Sequence, residues 1–70
     1  MNQVLPENQE RAAWAKAAVN HFARNTQMED EELQTRVQDL MTDLFHLCHQ
    51  KEIPLQDVLR LATQHFEEER

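Results

Sequence analysis

Asp39, Asp43, His46 and Gln50 follow one another at steps of four, three and four residues. On a helix that spacing puts them on one side. Carboxylates and an imidazole sharing a side can ligate a divalent metal. Di-iron bundles use such acid-x-x-His pairs, but they need two pairs and two further acids. A second pair stands at His65-Phe-Glu-Glu68. If the chain turns back near residue 52, position 39 faces about 65 and position 46 faces about 58. His65 is then expected beside Asp39, and His46 beside Val58 or Leu61, so the two pairs do not converge within one chain. The metal reading is a site from Asp39, Asp43 and His65, completed across a dimer. The simpler expectation is an Asp39–His65 ion pair with His46 hydrogen-bonded at the rim, and no metal or other cofactor.

His46-Leu-Cys48-His49 offers a thiol beside imidazoles, the ingredients of a cysteine nucleophile. Neighbours one and two positions apart on a helix point away from each other. Cys48 also falls on the apolar side, where a buried thiol is inert. No catalytic residue is expected. Trp14, on a helix with Arg11 and Lys16, is either an interface anchor or the main plug of the core.

Three helices must position these groups. The first starts after Pro6, a good first-turn residue, with Glu7 and Glu10 favourably near the positive end of the helix dipole. It is expected over about 7–25. Ala15, Ala18 and Phe22 recur at helical spacing and Trp14 overlaps that stripe. Thr26-Gln-Met-Glu29 reads as a capping box opening a second helix over about 27–50. Glu29, Asp30, Glu31 and Glu32 would then complement its dipole. Leu33, Val37, Leu40, Leu44 and Leu47 form a heptad-like seam, widened by Met41, Phe45 and Cys48. Pro54 separates a third helix, over about 54–67, whose face is Leu55, Val58, Leu59, Ala62 and Phe66, broadened by Leu61. Glu67, Glu68 and Glu69 lie at the negative end of its dipole, so the last residues are expected to fray. Short connections imply an antiparallel hairpin of helices two and three, with the first helix over its open side. The fold class is all-α, a single three-helix domain over 1–70.

The bulk composition excludes much else. Seventy residues with 28 apolar side chains, seven of them Ala, allow one small domain. The absence of Gly removes Gly-rich phosphate loops and the dinucleotide fingerprint. One cysteine makes neither an internal disulfide nor a Cys-x-x-Cys zinc site. A reducing cytoplasm is the simplest location. No signal peptide or membrane-length apolar run is visible. Seven basic against 13 acidic residues give a formal charge of −6. That acid excess disfavours direct nucleic-acid binding and fits either plain solubility or a basic partner. The second helix has more apolar surface than two short neighbours can cover, so a homodimer is expected.

Asp39-Leu-Met-Thr-Asp43-Leu-Phe-His46, with Ile53-Pro-Leu-Gln-Asp-Val-Leu and His65-Phe-Glu-Glu, resembles small uncharacterised helical proteins of proteobacterial prophages and other mobile elements. There the pattern Trp…Asp-Leu-x-x-Asp-Leu-x-His…His-Phe-x-x-Glu recurs near full length, with Trp14 as its first element. The resemblance implies no activity, but it implies an accessory or anti-host role. Over about 30 residues, Leu47-Cys-His-Gln-Lys-Glu-Ile53 and Asp57-Val-Leu-Arg-Leu-Ala62-Thr-Gln-His-Phe66-Glu resemble the final helix pair of MazG-type all-α nucleotide pyrophosphatases. Those enzymes hold magnesium with an acid-x-x-Asp pair on the first helix of that pair and an acidic motif on the helix before it. Asp39 matches one acid, but Arg36 stands at its partner's position. The motif that performs the chemistry is missing.

The expected function is therefore a small non-enzymatic interaction or regulatory protein that binds a protein partner. Trp14, Phe22, Met41, Phe45 and Phe66 are its candidate interface anchors. One alternative is an acidic mimic of nucleic acid that blocks a basic host protein through Glu29, Asp30, Glu31, Glu32, Asp39, Asp43 and Glu67 to Glu69. The other is a metal-binding remnant of a pyrophosphatase centred on Asp39 and Asp43.

Overall fold

A computed structural model describes residues 7–70. The chain is all-α, with α1 over Asn8–Thr26, α2 over Leu33–Gln50 and α3 over Leu55–Glu69. Six alanines between positions 12 and 23 favour α1, because Ala gives up no side-chain entropy in a helix. Its first turn is tied by the Glu7 N–H, which donates to Glu10 Oε1 at 3.2 Å.

The two inter-helix turns close in the same way. At the end of α1, Gln27 takes a left-handed conformation, φ 60°. The Met28 N–H then reaches back to the Ala23 carbonyl at 2.8 Å. At the end of α2, Glu52 does the same at φ 57°, and the Ile53 N–H reaches the Cys48 carbonyl at 2.8 Å. Both are Schellman-type stops. Such positions favour Gly, which this chain does not contain. Pro54 follows the second stop, and its carbonyl accepts the Val58 N–H at 3.1 Å, opening α3.

Thr26 does not open α2. It is the last residue of α1, and its hydroxyl donates to the Phe22 carbonyl at 2.8 Å. The α2 helix starts at Leu33, six residues later than a capping box at Thr26 requires. The box loses because the Thr26 hydroxyl is engaged by its own helix and the left-handed Gln27 breaks the chain there. Glu29 to Glu32 consequently sit in the turn, and the first turn of α2 has no acid.

Contacts join α1 to α2 and α2 to α3. A third junction joins the end of α3 to the start of α1. Asn8 Nδ2 donates to the Glu69 carbonyl at 2.7 Å, and Arg11 forks onto both Glu69 carboxylate oxygens at 3.1 Å. In an up-down-up bundle in register, α3 would end beside the end of α1, about 28 Å from its start. The three helices instead close a ring. α3 runs to Glu69, two residues past the expected end, and there Arg11 from another helix neutralises the acid at the negative end of the dipole.

The core is small. Val19, Ala23 and Cys48 are the buried apolar residues among those described. The buried line of α1 is rotated by one residue, about 100°, from the Ala15–Ala18–Phe22 stripe. Ala15 and Ala18 are exposed and Phe22 is half-buried.

Candidate functional site

The apolar periodicity of α2 and α3 is real, but most of it remains in solvent. On α2, Leu33, Val37, Met41, Leu44 and Leu47 are each 40–47% exposed. On α3, Val58, Leu59 and Leu61 are 36–42% exposed and Phe66 is 60% exposed. Isolated exposed apolar residues are ordinary, but here they form rows at helical spacing on two adjacent helices.

Grooves among the described residues interrupt this surface. One, of about 320 Å³, lies between α1 and α2 and is lined by Ala12, Ala15, Lys16, Val19, Leu33 and Val37. The small Ala side chains leave room there, and Lys16 provides the only charge. Another, of about 270 Å³, lies where α3 meets α1, lined by Asn8, Arg11, Ala12, Phe66, Glu69 and Arg70. The Arg70 guanidinium stands 5.9 Å from the centre of the Phe66 ring, within cation–π range.

The candidate anchors separate into two groups. Trp14 is 58% exposed and is not the plug of the core; together with Phe66 and Met41 it stands in solvent. Phe22 and Phe45 are half-buried. Exposed aromatics of this kind are the usual anchors of binding surfaces.

Arg36 has a structural task. Its Nη1 donates to Asn20 Oδ1 at 2.8 Å and its Nε to the Glu31 carbonyl at 3.1 Å. It therefore fastens α2 to α1 and to the intervening turn. Asp39 is half-buried, while Asp43 and His65 are exposed. Among the described residues, no group of three His, Cys, Asp or Glu side chains is placed to hold a metal ion, so Asp39, Asp43 and His65 do not converge. The expected Asp39–His65 ion pair is not formed; the ion pairs among the described residues are Arg11–Glu69, Asp57–Arg60 and Glu67–Arg70. His46 has no side-chain hydrogen bond among the described residues; the one formed by a histidine joins His21 to Asn25. Position 65 depends on where α3 ends, and Asn8 and Arg11 hold that end at α1. Cys48 is a buried free thiol. Glu29 to Glu32 are exposed on the α1–α2 turn. No described helix is long and apolar enough to cross a membrane.

Comparison with protein families, curated proteins and solved structures returns no match.

Proposed function

We propose that this chain is a small acidic helical interaction or regulatory protein that works by binding another protein, without catalysis. The observation that supports this reading is the apolar rows of α2 and α3, left half in solvent while the described residues bury only Val19, Ala23 and Cys48. A chain that displays this much apolar surface is built to have it covered. Trp14 and Phe66 are the proposed anchors. The acid excess argues against direct contact with nucleic acid. The resemblance to small mobile-element proteins supports an accessory or anti-host role, acting in the cytoplasm. The α2–α3 pair is proposed to be an antiparallel hairpin, as its four-residue connection suggests.

The test is capture of partners by the immobilised chain at low and high salt, in parallel with Trp14→Ala and Phe66→Ala. The expected result is one protein retained at both salts and lost with at least one variant that keeps its helical circular dichroism. Retention by both variants equal to that of the parent would overturn the anchors. Basic nucleic-acid-binding proteins held only at low salt would transfer the reading to nucleic-acid mimicry through Glu29 to Glu32.

A further inference from the structure

We infer that the exposed apolar face of α2, with that of α3, is covered by a second copy of this chain in a closed two-fold pair. The inference rests on reading this surface as the binding face, and it names the first occupant.

Area is the first argument. Nine large apolar side chains of α2 and α3 are 36–60% exposed. A monomer rarely shows contiguous apolar surface beyond about a few hundred Å², whereas the covered centre of a homodimer interface is largely apolar.

Permanence is the second argument. The three buried apolar side chains among the described residues do not by themselves hold three helices together in water, because helices this short owe their stability to packing of an apolar face. The covering partner must therefore be present whenever the chain is folded. The chain itself is the one partner guaranteed to be at hand.

Charge is the third. On a helical projection of α2, the arc of about 120° from Leu47 to Met41 contains no charged residue. The nearest charge beyond the Leu47 edge is Arg36, about 20° out, whose guanidinium already holds Asn20 and the Glu31 carbonyl; Asp43 projects about 40° and Asp39 about 80° beyond that edge. A basic partner steered by this acidic chain would meet Arg36 first. The uncharged face of α2 instead allows two chains, each of net charge −6, to meet there without opposing like charges.

Sedimentation equilibrium and thermal unfolding of the full chain over a wide concentration range test the inference. The expected mass is twice that of the chain, with a Tm that rises with concentration. Leu44→Glu, in the middle of the face, should weaken the pair by about thirtyfold or more. Thr42→Glu, on the opposite side of α2, should leave it intact. A folded monomer with a concentration-independent Tm would overturn the second copy while leaving the face free for another protein. An unfolded monomer would overturn it too, as would open-ended association that grows with concentration. If Leu44→Glu matched the parent in mass and in concentration dependence, the contact would lie elsewhere and the binding-face reading would fall with it. Should Leu44→Glu fail to fold, the concentration dependence of the unaltered chain still decides.

Discussion

Gln27 and Glu52 occupy the positions where a glycine would be expected. Each holds a left-handed backbone, φ 60° and φ 57°, in which a Cβ crowds the following carbonyl and costs on the order of 1 kcal/mol. Gln27→Gly and Glu52→Gly are each expected to stabilise the fold by about 0.5–1 kcal/mol, net of the extra freedom glycine gives the unfolded chain. Urea midpoints measure this, and a lower midpoint for either variant would contradict the left-handed stop. Arg36 makes the opposite case. Arg36→Met retains the aliphatic stem but removes the bonds to Asn20 and to the Glu31 carbonyl, and is expected to destabilise by about 1–2 kcal/mol. Arg36→Glu supplies the acid that the pyrophosphatase pattern has and this chain lacks. It should cost at least as much stability and produce no magnesium-dependent release of pyrophosphate from nucleoside triphosphates. Release with that variant would reopen the remnant reading.

At the scale of the elements, the three helices were legible because their apolar periodicity, Pro6, Pro54 and the Ala run all point the same way. The start of α2 was not. Thr26 and Glu29 have the residue types of a capping box, but a threonine hydroxyl can equally bond the carbonyl four residues back in its own helix, which it does at 2.8 Å. Local pattern cannot rank those two bonds. Thr26→Ala separates them: an N-cap would lose about 1 kcal/mol, whereas a helix-terminal back-bonded Thr should change stability by less than about 0.5 kcal/mol. The face of α1 was misjudged for a related reason. In an Ala-rich helix every side is short and weakly apolar, so little distinguishes a stripe at Ala18 and Phe22 from one at Val19 and Ala23. The Arg11–Glu69 pair was invisible for a different reason: its partners are 58 positions apart. Arg11→Ala should fray α3 from its end, seen as faster hydrogen exchange at the amides of residues 67–70 with α1 and α2 unaffected. Its effect on total stability should stay within about 1 kcal/mol, since both groups of the pair are over 40% exposed.

The whole molecule shows most plainly what pattern alone conceals. Periodicity tells which side of a helix is apolar, not whether anything covers it. Leu44 lies in the apolar seam of α2 and Phe66 on the apolar face of α3, and both stand in solvent. The consequence is measurable in the denaturant dependence of unfolding, because the m-value scales with the surface newly exposed. If a pair is the folded unit, the m-value per chain should exceed that expected from one chain folded alone, and should fall when Leu44→Glu separates the copies. An unchanged m-value would mean that the face stays wet in both.

The ring that Asn8, Arg11 and Glu69 close is also a latch. The other two junctions link neighbours along the chain, whereas this one must draw together residues 58 and 61 positions apart. Closing a loop of that length costs several kcal/mol of chain entropy, and the bonds that hold it are exposed. The latch therefore forms last in folding and opens first in the native state, releasing the last turn of α3 while both helix-to-helix turns persist. A protease that reaches the folded protein should cut there before it cuts either turn.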